Sequence, residues 1–212
     1  MQNKDKTMAL AKEKFTTPKG ALKWAFIDGK GKETEQGSGK FKYSVVVKVS
    51  LADAQEAIAL IDNFWVENKP KQAKPKAKTM AYKYEVDETA EENRTGYVLF
   101  GLSTSTTFPS GDAKVVKIFT AKAPVREVKL NGKKIGDKSL GRGIGTLAIY
   151  EYNGTYGTTL FLDAISLSTF SEYVGGTDVS DVTTDDDAED IDLGETTVDT
   201  SAVEDEAEKP RV

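Results

Sequence analysis

Lysine and aromatic residues alternate along several short stretches of this chain. Lys40, Lys42 and Lys48 accompany Phe41 and Tyr43, Lys83 sits between Tyr82 and Tyr84, and Lys114 and Lys117 flank a further apolar run. Tyr150, Tyr152 and Tyr156 cluster around one Asn-Gly pair. In an extended chain, residues two apart share a face, so Lys40, Lys42 and Ser44 line one side while Phe41, Tyr43 and Val45 line the other. Tyr150 and Tyr152 likewise share a face with Ala148. Rings bordered by cations suit unspecific binding of single-stranded nucleic acid, because rings stack on bases and ammonium groups neutralise phosphates.

Other chemistry is poorly supplied. The 212 residues include no Cys and no His, which excludes disulfides, thiol nucleophiles, Cys/His zinc sites and imidazole acid–base catalysis. Gly141-Arg-Gly-Ile-Gly145 lacks the strand–helix setting and the lysine of a phosphate loop, so its glycines are assigned to a turn or β-bulge, with Arg142 free to face a ligand. The pairs Asp87-Glu88 and Glu91-Glu92 read as hydrated surface, and no carboxylate pair is singled out for catalysis. No catalytic residue, metal or cofactor is expected.

The elements that must position these residues are mostly strands. Strand-like runs cover 22–27, 40–49, 81–86, 96–103, 114–119, 126–130, 145–152 and 158–170, with β-branched and aromatic residues between Gly, Asn, Pro or Asp clusters. Asn131-Gly132 and Asn153-Gly154 fit tight turns. The glycine- and lysine-rich stretch 28–39 reads as a flexible loop. Ser50 and Asp53 cap a helix running to about Val66, whose Ala54, Ala57, Ile58, Ile61 and Trp65 form one apolar face to lie against a sheet. Lys69, Lys71, Lys74, Lys76 and Lys78 fall in a Pro-interrupted loop, which serves equally as solvated surface or as phosphate contacts. Phe41, Tyr43, Phe100 and Phe161 are assigned to the core, as are Trp24 and Trp65, with Trp65 pinning the helix. Tyr152 and Tyr156 stand open between stacking and packing. The sum is an all-β fold, a small closed or partly closed barrel with one inserted helix, a class that includes the oligonucleotide-binding (OB) barrel, although a sandwich has the same length.

Charge divides the chain in two. Residues 178–208 hold 14 acidic residues and no Lys or Arg, including the run Asp185, Asp186, Asp187, Glu189 and Asp190. Residues 1–177 hold 27 basic against 20 acidic residues, a net +7. Three segments are expected: a basic arm over 1–14, a strand-rich domain over 15–174, and a disordered acidic tail over 175–212. No apolar run is long enough to span a bilayer, and an intracellular setting is expected.

The order of these segments resembles the replication single-stranded DNA-binding proteins of T-odd-type tailed phages. It runs from Phe15-Thr-Thr through 24–27, the Gly-rich loop, 40–49, the helix and the Lys/Pro loop to Gly141-Arg-Gly-Ile-Gly145, the 147–156 hairpin and 160–170. The resemblance implies an OB-fold core, an acidic C-terminal tail, and no catalysis. By it, the family's basic residue after the Gly-rich loop falls on Lys40, and its stacking aromatic in the last hairpin on Tyr150, with a second on Tyr152. Where that family carries lysines in its matching strand, this chain has Gly96-Tyr-Val-Leu-Phe-Gly with Arg94 just outside. The basic surface is then completed by Lys117 or the 69–78 loop.

The implied function is coating of single strands in phage DNA replication and recombination, with hairpin melting and strand annealing, in the host cytoplasm. The tail would compete with DNA and recruit the phage polymerase and helicase/primase, and its exchange between protomers is compatible with a homodimer. The family's terminal aromatic residue is replaced here by the ending Lys209-Pro-Arg-Val212. Two other readings are an acidic-tailed virion or assembly protein, and a carboxylate-dependent hydrolase.

Overall fold

The computed structural model describes residues 11–73, 80–87, 90–152 and 154–173. The arm before residue 11, the loop lysines 74, 76 and 78, Asn153 and the acidic tail lie outside the described residues. Among the described residues, nine strands and one helix follow in the order β1 (Lys12–Thr16), β2 (Gly20–Phe26), β3 (Lys32–Glu33), β4 (Phe41–Ser50), α1 (Leu51–Asn68), β5 (Tyr82–Asp87), β6 (Ala90–Ser105), β7 (Lys117–Thr120), β8 (Leu140–Tyr152) and β9 (Thr155–Thr169).

Five of these strands close a ring. β2 pairs with β4, β4 with β6, β6 with β9, β9 with β8, and β8 returns to β2. Every contact around the ring is antiparallel except β6 with β9. Numbered along the chain, the barrel strands run 1-2-3-5-4-1, the OB-type barrel expected from the sequence. The helix lies between the second and third barrel strands. β1 adds to β8, β3 to β4, β5 to β6 and β7 to β9.

Period-2 patterning sorts the residues. In β4, Tyr43, Val45, Val47 and Val49 are buried, while Lys42, Ser44, Val46 and Lys48 point away from the core. Phe100, Leu102, Leu147, Leu160 and Leu162 fill the same interior. The Ser50 hydroxyl accepts from the Asp53 amide at 3.2 Å, forming the expected cap. Ala54, Ala57, Ile61, Phe64 and Trp65 are the buried face of α1, so Trp65 does hold the helix to the barrel.

Several expectations change. Residues 12–14, read as part of the arm, are the start of β1. The run 126–130 forms no strand and makes only an isolated bridge between Phe119 and Glu127. The loop 28–39 contains the short β3. Asn131 and Gly132 both have positive φ, as the tight turn requires. The glycines of 141–145 lie within β8, where its register to β9 shifts twice, so the bulge assignment holds. A side chain at Gly145 would collide with the Phe161 carbonyl, and one at Gly143 with the Leu102 side chain. These glycines admit close strand packing inside β8 rather than forming a loop.

Three aromatic assignments fail, the first being Phe41, which is half-buried at the start of β4 and stands outside the core cluster. Trp24, expected in the core, is 56% exposed, and Phe161 is 41% exposed. For Trp24 the reason is a bulge. Lys23 pairs with Val46 but Phe26 with Ser44, so one extra residue separates them, and Trp24 takes φ +48°. The bulge reverses the alternation, leaving Leu22 and Ile27 buried and Phe26 outside. Phe161 is outside for a simpler reason: Leu160 and Leu162 on either side of it are both fully buried.

Candidate nucleic-acid interface

The outer face of the barrel is built by register. Phe26 of β2 stands opposite Ser44 of β4, Ser44 opposite Ser103 of β6, and Ser103 opposite Phe161 of β9. Directly opposed residues share a face, so two rings, 40% and 41% exposed, bracket two small hydroxyl side chains. Three inter-strand steps separate the rings, roughly 14 Å. The serines between them leave room for a flat ligand to lie on the strands.

Cations border this row. Lys42 lies two residues along β4 from Ser44, on the same face and opposite both Ser105 and Lys32. The Lys32 ammonium sits 5.6 Å from the Phe26 ring centroid, holding charge at the platform edge. Lys40 is exposed just ahead of β4, where its carbonyl accepts from the Thr34 amide at 2.8 Å and so ties the end of the loop in place. Beyond Phe161, the Lys14 ammonium pairs with Asp163 at 3.5 Å, and Asp163 also accepts from the Thr146 hydroxyl.

A second level lies four residues along the strands, about 13 Å away. There Lys48, Leu99 and exposed Lys83 share a row, and Tyr150 stands opposite Gly157. Lys48 is spent locally, 2.9 Å from Glu85 and 4.3 Å from the Tyr97 ring centroid. Burial pulls the Glu85 carboxyl upward, but the Thr95 hydrogen bond and Lys48 outweigh it and hold it below the usual range. Tyr150 is half-buried, which pushes its hydroxyl pKa up, whereas Tyr152 on the same face is 71% exposed at the hairpin tip.

The remaining candidates lie elsewhere. Tyr82 packs against Phe100 with ring centroids 6.3 Å apart and donates its hydroxyl to Asp62 of α1 at 3.1 Å. Burial first, then the Asp62 carboxylate, drives its pKa far above the ordinary phenol value. The Tyr156 hydroxyl accepts from the Gln72 amide at 2.9 Å, and its ring is packed on the core from the side of the exposed Lys69 and Lys71. The Arg142 guanidinium donates to the Thr17 carbonyl at 3.2 Å and shares a groove with Asp53 and Glu56 of the helix. Arg94 lies over the Tyr84 ring at 3.8 Å, and Lys117 pairs with Glu127 at 3.3 Å. The structure therefore gathers Lys40, Lys42, Lys83, Tyr150 and Tyr152 around one face, and ties Tyr82, Tyr156 and Arg142 to the helix side.

No protein-family model matches this chain, and no curated protein is similar enough in sequence to count as a relative. Solved structures are similar in three dimensions. Over 85% of this chain and all of the other, it is similar to gp2.5, a single-stranded DNA-binding protein encoded by bacteriophage T7, with TM-score 0.54 and 16% identity. It is also similar to the single-stranded DNA-binding protein of bacteriophage Enc34 in complex with single-stranded DNA, with TM-score 0.56 and 10% identity over 76% of this chain and 89% of that one. The chain has the fold of these phage single-stranded DNA-binding proteins.

Phe26 and Phe161 were missed by sequence reasoning for different reasons. A usable signal existed for Phe161: Asp163 two residues on marks the outward parity of Leu160-Phe161-Leu162-Asp163. None existed for Phe26, because the bulge that turns it out leaves no residue signature in Lys23-Trp-Ala-Phe26. Among the described residues no helix is long and apolar enough to cross a membrane, and no three His, Cys, Asp or Glu side chains converge as a metal site.

Proposed function

We propose that this protein binds single-stranded DNA without sequence preference during phage DNA replication and recombination. The observation that carries the reading is the Phe26–Ser44–Ser103–Phe161 row on the outer face of an OB-type barrel, edged by Lys32, Lys40 and Lys42. The outer face of the second and third strands is where barrels of this class take oligonucleotides. Bases stack on the rings at about 1–3 kcal/mol each, while the lysines track the phosphates. Unpaired bases alone can reach the rings, so binding energy favours the single strand and draws hairpins toward melting and annealing. The step is binding, with no bond made or broken.

The acidic segment 178–208 competes with DNA for the basic face and, when displaced, recruits the phage polymerase and helicase/primase. The support for this is charge: 14 carboxylates without a Lys or Arg, attached to a body of net +7. The test is titration with oligo-dT at several salt concentrations, for the full chain and for the chain ending at Gly176. Full-chain affinity should fall steeply with salt, and truncation should tighten binding. Absence of binding at low salt in both refutes the function; equal affinity in both refutes only the competition.

A further inference from the structure

Beside the platform, around the bulge in β2, lies a groove of about 720 Å³. Trp24, Phe26 and Tyr173 line it, with Lys30 and Lys134 at its edge. Trp24 and Tyr173 are 56% and 53% exposed, so three rings converge on a solvent-filled space that no core residue fills. The volume is that of a small-molecule site and holds one nucleotide comfortably.

Trp24 is held at φ +48°, a conformation disfavoured for any residue with a Cβ, and the bulge it forms turns the indole out of the barrel. An exposed indole in a strained bulge does nothing for the core, since Leu22 and Ile27 fill the interior on either side. Its neighbours carry a net positive charge, Lys30 and Lys134 against the single carboxylate of Asp28 once Asp137 is paired. Neither Lys30 nor Lys134 pairs with another described residue, whereas Asp137 on the groove wall is already paired with Lys23 at 3.2 Å. The Tyr173 amide donates to the Lys134 carbonyl at 2.9 Å, which holds ring and cation side by side. Phe26 belongs to both the groove and the platform, so the two surfaces are continuous.

We infer that this groove is an additional nucleotide subsite, where the strand leaving the platform past Phe26 stacks an unpaired base on Trp24 and lays its phosphate against Lys30 and Lys134. The inference rests on the single-strand-binding reading above. The two can fail separately.

The test uses the full-length chain with an oligo-dT of about 15 nucleotides, near the upper end of the site sizes of OB folds. Affinity is measured for wild type, Trp24→Asn, Tyr173→Ala and Phe161→Ala, together with tryptophan emission. Asn tolerates positive φ, so Trp24→Asn retains the bulge, and its circular dichroism and melting temperature report that directly. Trp24→Asn should weaken binding ~5- to 150-fold, with a smaller loss for Tyr173→Ala. Only two tryptophans are present and Trp65 is buried, so oligo-dT should quench wild-type emission through Trp24. Wild-type affinity in a folded Trp24→Asn, beside a loss in Phe161→Ala, overturns the groove subsite and leaves the function standing. Absence of wild-type binding overturns both.

Discussion

The two sides of the barrel use the same residue types to opposite ends. On the outer face, Phe26 and Phe161 are each about two-fifths exposed, separated by serines and edged by lysines. On the inner side, Phe15 and Tyr82 each pack tilted against Phe100, with centroids 6.4 and 6.3 Å away, and the Tyr82 hydroxyl is held by Asp62 of α1. The charge differs as well. The helix carries Asp53, Glu56, Asp62 and Glu67 and no Lys or Arg. That sign would repel a phosphate backbone from the helix, whereas the lysine-edged outer row would attract one. An aromatic residue's role here is set by which side of a strand it occupies and by the charge around it.

The largest effect expected from breaking this contrast comes from the inner side. Phe100→Ala empties a fully buried site and should cost about 3–5 kcal/mol of folding stability, read as a lower denaturation midpoint. Phe161→Ala, the same change on the outer face, should leave the midpoint nearly unmoved and weaken oligo-dT binding by about 1–3 kcal/mol. If Phe161→Ala unfolds the protein as Phe100→Ala does, the distinction between the sides is lost.

The cations sharpen the comparison at smaller amplitude. Lys42→Ala should reduce the slope of log affinity against log salt by about 0.7, the value for one phosphate contact to a single strand. Lys117→Ala, whose ammonium is engaged by Glu127, should change it less. Glu85 gives the smallest effect. Its carboxyl is held below the ordinary range, so the stability it contributes is present above that range and is lost as pH falls through its lowered value. The Lys48 pair is partly solvated, which limits the effect to about 1 kcal/mol or less. Glu85→Gln should remove that part of the acid sensitivity, seen as a smaller loss of melting temperature between neutral and acid pH, and free Lys48 for DNA.

Much of this architecture could be read before the structure. Alternation placed Lys42 and Ser44 opposite Tyr43 and Val45, and the Ser50 cap with its apolar stripe placed α1. The β2 bulge could not be read, because a bulge is set by register against a partner strand rather than by local composition, and it moved both Trp24 and Phe26 to the surface. Tyr82 looked like part of a Lys-interleaved stacking strand because its neighbour Lys83 does face outward; its own ring turns to Phe100 and its hydroxyl to Asp62. Which cations are already paired, as with Lys48 and Lys117, depends on contacts far apart in sequence and was invisible for the same reason.

The central claim is that DNA lies on the outer face of β2, β4, β6 and β9. It is tested most directly by photocross-linking oligo-dT to the full-length protein and mapping the modified residues by mass spectrometry. The account predicts adducts on Phe26 and Phe161, with Tyr152 at the hairpin tip. Adducts confined to the α1 side, on Tyr82 or Tyr156, with Phe26 and Phe161 unmodified, would contradict it.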